Sequence, residues 1–316
     1  MRIWGIVVAL AAVAGLVGGV YWMTLKPPYD PDFDAGVTTP AYRVNGPIVL
    51  FDEGHHNAHS ISRTYKPFAE LIGNDGYRVR AISERISSNL LSGAVVLVIV
   101  CARGANDAGD GPAFGDDEAA AIEAWVRAGG SLLLVTDHWP FGAAAAPLAL
   151  RFGVSMSGGF AEDSANFEKS LESSHLVFSR DNALLKDHPI TNGRNADEYV
   201  RRVLTFTGQS IWGPPEAGAF LSLADTALDS PPGAPKVERR GGDVIVSMDY
   251  RDPVSAKGRA QGLALSIGNG RVVVLGEAAM ISAQLDGKGR PAGMNFPGID
   301  NRKLTLNIMH WLSRLM

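Results

Sequence analysis

This 316-residue sequence predicts an α/β fold built on a doubly wound, mostly parallel sheet. Three observations predict it. Short apolar runs alternate with segments of helical periodicity over residues 46–152. The connections between them are short and rich in Gly, Asn and Asp. Polar groups stand directly after the apolar runs: Asp52-Glu53-Gly54-His55-His56-Asn57 after Pro47–Phe51, Asp137-His138 after Leu132–Thr136, and Glu277 after Val272–Gly276. Open α/β sheets bind ligands outside the carboxyl ends of their strands, so three chain segments deliver acids and imidazoles to one edge.

The elements follow in order. Ile3 to Leu25 carries no charge and is long enough to cross a bilayer, which takes about 20 apolar residues as a helix. The apolar stretch continues past Gly18-Gly19 through Val20-Tyr21-Trp22-Met23, which favours an uncleaved signal anchor over 1–26 rather than a cleaved signal peptide. Asp30, Asp32 and Asp34 follow Lys26, so the body of the chain lies outside. In a bacterium that is a single-pass inner-membrane protein with its soluble domain in the periplasm. Residues 27–45, rich in Pro, read as a linker, and the globular part spans 46–316.

Pro47–Phe51 predicts a buried strand, 63–72 a helix, 77–82 a second strand and 94–101 a central strand covered on both faces. A Gly/Asp-rich loop, 103–115, leads to a helix over 116–128 with Asp116 as its cap. The strand 131–136 and an Ala-rich helical segment, 143–152, come next. Residues 155–258 read as an irregular β-rich insertion with short apolar runs at 176–178, 203–206, 220–223 and 244–248. Gly268-Asn269-Gly270 between two apolar runs is a hairpin signal. The last helix covers 301–315 with Leu304, Ile308, Trp311, Leu312 and Leu315 on its buried face.

Composition excludes several classes. At 46% hydrophobic and 20% charged, the chain is neither disordered nor a coiled coil. A net charge of −4 without a Lys/Arg run gives no footprint for nucleic acid. The single cysteine, Cys101, allows no intramolecular disulfide and no cysteine-based zinc site, so a metal would need His, Asp or Glu.

The candidate catalytic residues are Asp52, His55, Asp137, His138 and Glu277. A carboxylate with two nearby imidazoles supplies an acid/base pair or metal ligands. Asp52, His55, His56 and Asp137 form the candidate metal set, with a divalent ion as the cofactor. The competing structural roles are specific. Asp52 and His55 satisfy loop backbone groups, while Asp137 and Glu277 cap the turns that follow them. Cys101 lacks a Gly-x-Cys-x-Gly setting and reads as a small buried apolar residue. Asp107, Asp110, Asp116 and Asp117 do not fit a twelve-residue calcium loop; they suit a solvated lid. Asn307 and His310 read as structural, and His188-Pro189 as a turn. Two functions fit. One is a metal-assisted or acid/base hydrolase acting on an envelope component. The other is a non-catalytic module that binds a glycan, a peptide or a partner within a membrane complex.

Several separated motifs carry a resemblance: Asp52–Asn57, Leu133–Gly142, His188-Pro189-Ile190, Gly276–Met280, and Asp300-Asn301 through His310-Trp311-Leu312. They resemble an uncharacterised bacterial exported family with a class I glutamine amidotransferase-like domain, related to auxiliary proteins of gliding-motility ABC transport. The resemblance covers most of 46–316 and implies a flavodoxin-like sheet. Amidotransferases use a Cys on a strand-to-helix elbow and a downstream His-x-Glu. Here the elbow-like turn carries Asp137-His138 and no His-x-Glu occurs, so the resemblance does not extend to glutamine hydrolysis.

Overall fold

Nine strands form the central sheet of the computed structural model, which describes residues 28–240 and 243–316. They are β1 (Ile48–Asp52), β2 (Arg78–Ile82), β3 (Val96–Val100), β4 (Ser131–Val135), β5 (Ser155–Met156), β6 (Ile211–Trp212), β7 (Gly218–Ser222), β8 (Ala260–Ile267) and β9 (Gly270–Leu275). Their order is β2-β1-β3-β4-β9-β8-β6-β5, with β7 also pairing with β8. The first five neighbours run parallel. The order 2-1-3-4 followed by one more parallel strand is flavodoxin-like, with β9 arriving late in the chain to fill the fifth place. From β9 outward the pairing is antiparallel, so the sheet is mixed.

Every residue of β3 and β4 is buried, because helices cover both faces of the sheet. Helices α1 (Lys66–Asn74) and α4 (Asn301–Leu312) supply Phe68, Ile72, Leu304 and Ile308 to one face. Helices α2 (Asp116–Arg127) and α3 (Phe141–Leu150) supply Ile122, Val126, Ala145 and Leu148 to the other. In α2, Gly115 rather than Asp116 is the cap residue. Asp116, Asp117 and Glu118 fill the first turn and Arg127 the last, in the sense the helix dipole favours. The β8–β9 hairpin closes through Gly268, whose φ of +58° suits glycine; a Cβ there would also meet Arg127 O at 2.8 Å.

Residues 155–258 do not form one separate excursion. Three of their segments, β5, β6 and β7, extend the central sheet. Others make a small sheet (Phe160–Glu162, Leu228–Ser230, Val254–Ser255) and the pair Val177–Ser179 with Arg202–Leu204. A long two-stranded ribbon, Pro232–Arg240 with Asp243–Tyr250, pairs only with itself among the described residues. The described part of the predicted linker is not a free tether either. Phe33, Ala35 and Val37 pack on Leu71, Met294 and Leu306, and Ala41 donates its N–H to Asp75 Oδ1 at 2.8 Å. The predicted membrane anchor lies outside the described residues; among those described, no helix is long and apolar enough to cross a membrane.

His310 and His188 are structural, as their positions in the sequence suggest. His310 Nε2 donates to Asp75 Oδ2 at 2.7 Å, and His188 Nδ1 accepts the Ile190 N–H at the turn before Pro189–Asn192. Burial lowers His59 to about 4, and burial with the nearby Arg271 charge lowers His188 to about 4. Their folded values lie below the unfolded 6.5, so the unfolded chain binds protons first as the solution is acidified. Going from pH 7 to pH 5 therefore costs on the order of 1–2 kcal/mol of stability per histidine. Urea unfolding at the two pH values measures this, and His59→Gln with His188→Gln flattens the dependence.

Candidate functional site

The carboxyl ends of β1, β3, β4 and β9 lie side by side, as the sequence requires. Side-chain alternation then splits the predicted residues between the two faces. Leu50 packs in the cluster built on α2 and α3, and Asp52, two residues on, shares that face. Val135 and Leu275 pack in the cluster built on α1 and α4, and Asp137 and Glu277 share that one.

On the α2/α3 face, Asp52 is fully buried and braced. Its Oδ1 accepts from Gly54 N at 3.1 Å and from His55 Nδ1 at 2.8 Å; its Oδ2 accepts from Asn57 Nδ2 at 3.1 Å. His55 Nε2 donates to Glu118 Oε1 at 3.1 Å. Glu118, in the first turn of α2, also accepts from Ile86 N, Gly115 N and Arg85. Burial alone would push the imidazole down, but Asp52 and then Glu118 outweigh it and raise His55 above its usual range. Burial pushes Glu118 the other way from its partners. The Ile86 N–H, Arg85, the Gly115 N–H and His55 together hold it below the usual carboxylate range. The result is an Asp52–His55–Glu118–Arg85 chain that ties the β1 loop to α2.

On the α1/α4 face, Glu277 is fully buried. Its Oε1 accepts Ala279 N–H at 2.6 Å and its Oε2 accepts Met280 N–H at 2.8 Å, capping the 3₁₀ turn Ala279–Ile281. Asp137 accepts His138 N–H at 2.8 Å and, more loosely, Ala278 N–H at 3.3 Å. Burial raises Asp137, against the His138 charge and these N–H groups; burial and the Asp137 charge raise Glu277 well above the carboxylate range. Cys101 sits behind them at φ +44°, buried, its thiol pushed up by burial and by the charges of Asp137 and Glu277. A protonated, covered thiol is inert as a nucleophile. Asp137 is the less committed acid. Replacing it with Asn keeps an acceptor and removes the desolvated charge. Asp137→Asn is therefore expected to raise the unfolding free energy at pH 8, with the gain fading on acidification, as urea titrations at pH 8 and pH 4 measure.

The four proposed metal ligands are not assembled. Asp52 and His55 bind each other, Asp137 lies across the sheet, and His56 is exposed at φ +49° with its carbonyl taking Arg103 Nε. Among the described residues, no group of three or more His, Cys, Asp or Glu side chains is placed to hold a metal ion.

What does reach solvent is the Asp137-His138 corner. His138 Nδ1 donates to Trp139 O at 2.9 Å, which turns Nε2 toward Asp137 Oδ1 at 3.5 Å. The imidazole lies over Phe160, ring centroids 4.2 Å apart, and Phe160 meets Tyr250 edge-on at 4.6 Å. Trp139 Nε1 donates to Asp110 Oδ2, and Asp107 ion-pairs with Arg239 of the ribbon, so the Gly/Asp-rich loop and the ribbon join beside this corner. Glu118, Phe160 and Tyr250 were not legible as site residues. Glu118 stands at the third helical position after Gly115, a capping signal and nothing more.

No family model matches the chain, and no curated protein matches its sequence. Among solved structures, the mmIFT52 N-terminal domain aligns with a TM-score of 0.57 and 13% identity, covering 84% of this chain and 97% of that one. At that identity the likeness shows a shared fold. A ThuA-like protein from Parabacteroides merdae aligns at 0.45 with 12% identity, covering 85% of this chain and 90% of its own. A GMP synthase component from Thermoplasma acidophilum aligns at 0.42 with 11% identity, covering 86% and 97%.

Proposed function

We propose that this chain is a non-catalytic binding module, tethered to the bacterial inner membrane by residues 1–26 and serving a complex of the cell envelope. One observation carries the reading. The acids read as catalytic are spent on their own loops: Asp52 on Gly54, His55 and Asn57, and Glu277 on Ala279 and Met280. Groups held this way brace loops that present a surface. The motif resemblance to auxiliary proteins of gliding-motility ABC transport supports the same direction. The ligand-facing part is the Asp137-His138 corner, the portion of the edge that stays partly open to solvent.

A second reading, an acid/base hydrolase, rests on one feature. His138 Nε2 faces Asp137 while both remain partly open, at 30% and 14% side-chain exposure. A turnover assay separates the two. The full-length chain in detergent is offered chromogenic esters, phosphoesters, glycosides and peptide anilides, with and without divalent metal ions. Background rates are expected throughout. Hydrolysis that disappears in Asp137→Asn or His138→Ala would overturn the binding-module reading.

A further inference from the structure

We propose that the hollow between Arg271 and Arg314, at the amino-terminal edge of the parallel strands, is an oxyanion site that takes the phosphate group of a small phosphate ester. It lies at the opposite end of the strands from the Asp137-His138 corner and does not depend on how that corner is read.

The hollow has a volume of about 490 Å³. Small-molecule sites usually span about 300–1,000 Å³. It forms where the β8–β9 turn, the end of α2 and the chain after α4 meet. The stretches that build it, 124–132, 262–274 and 309–316, contain Arg127, Arg271 and Arg314 and no Asp or Glu. Glu123, just before the first of them, is held by Arg127 and Arg151. Among the described residues neither Arg271 nor Arg314 pairs with an Asp or Glu. Burial and then the Arg314 charge lower Arg271, so the two cations stand close enough to repel. An anion between them relieves that repulsion.

Both guanidinium groups are fixed in place and only partly used. Arg271 gives Nη1 to the main-chain oxygens of Trp311 and, at 2.7 Å, Met316, and its guanidinium lies 4.8 Å from the centre of the Trp311 ring. Arg314 gives Nη2 to Gly129 O at 3.1 Å and to Asn269 O. Each keeps Nε and its other Nη without an acceptor among the described residues. The Ser266 hydroxyl and the Asn269 carboxamide line the same hollow and are equally uncommitted there. Such a set is rich in donors and positive in charge. A phosphate group, with three acceptor oxygens and up to two charges, uses more of it than a carboxylate does.

Cations at the carboxyl ends of helices also serve to hold the last carbonyls, and one nitrogen of each arginine does so here. The backbone of Arg314 points beyond that role. Its φ is +67°, and α4 closes with Arg314 N–H on Trp311 O and Leu315 N–H on His310 O. Glycine is the usual residue at such a left-handed helix end. An arginine kept there against its backbone preference is explained by what its side chain holds.

The test titrates the full-length chain in detergent, at constant ionic strength in sodium chloride, with inorganic phosphate, glycerol 3-phosphate, acetate and dihexanoyl phosphatidic acid. Calorimetry is expected to give dissociation constants below about 1 mM for phosphate and glycerol 3-phosphate, with acetate at least about tenfold weaker. Arg314→Gly separates binding from structure. Glycine suits the left-handed position, so the urea midpoint is expected to change little while phosphate binding weakens at least about tenfold. Arg271→Gln should weaken it to a similar degree, and Lys257→Gln, at an exposed lysine elsewhere, leaves it unchanged. Equal affinity for glycerol 3-phosphate and dihexanoyl phosphatidic acid assigns a soluble ester; binding of the acylated compound at least about tenfold tighter assigns a lipid headgroup with the same phosphate. Acetate binding as tightly as phosphate overturns the proposal. So does full phosphate affinity in folded Arg314→Gly, or no binding of phosphate or glycerol 3-phosphate by the unmodified chain up to about 10 mM.

Discussion

His55→Ala is expected to destabilise the domain by about 3–5 kcal/mol, the usual cost of breaking a buried ion pair by removing one partner. The imidazole lies between Asp52 and Glu118, donating from Nδ1 to one and from Nε2 to the other. Without it both carboxylates keep their burial and lose a charge-assisted hydrogen bond. Urea unfolding of the purified chain measures the loss, and a change below about 1 kcal/mol would mean that the chain from β1 to α2 does not hold the loop. The pH dependence has a defined sign. His55 is raised above its unfolded value of 6.5, so its contribution is complete below that pH and is lost as the pH climbs through the folded value. Glu118 is lowered, so its contribution is present above 4.5 and is lost as the pH falls through its folded value. Both are present between 4.5 and 6.5, and the gap between wild type and His55→Gln is widest there. Only the difference between the two proteins reads this out, because His59 and His188 titrate in the opposite sense.

Glu277→Ala is expected to cost about 2–4 kcal/mol, because it strands two backbone donors at a buried turn. Ala279 N and Met280 N have the Glu277 carboxylate as their acceptor, and Tyr65 donates to the Ala278 carbonyl at 2.5 Å from the other side. The sign of the change discriminates between roles. A carboxylate kept at a structural cost for catalysis gives a more stable protein when removed. One that caps a turn gives a less stable protein. Thermal and urea unfolding of Glu277→Ala at pH 6 decide between them, and a gain in stability would return Glu277 to the chemistry of the site.

Much of the fold was legible. The parallel core, its order of strands and helices, the Gly268 hairpin and the last helix all follow from apolar runs punctuated by Gly and Asn, which are local signals. Residues 155–258 were harder. Their strands β5, β6 and β7 are two to five residues long and find partners far along the chain in β8 or in one another, so no local pattern announces that they join the central sheet. The packing of the linker on the domain is hard to read from sequence for a related reason. Phe33, Ala35 and Val37 are too few to look like an element and become ordered by a small apolar patch on α1 and α4.

The sequence by itself determined which residues stand at the carboxyl ends of the strands, since that depends on where each apolar run stops. Only the tertiary structure decided which of them meet. Parallel strands covered on both faces are apolar at every position, so alternation along β1, β3 or β4 carries no mark of which helix layer a side chain will face. Asp52 followed Leu50 toward α2 and α3, Asp137 and Glu277 followed Val135 and Leu275 toward α1 and α4, and one expected cluster became two.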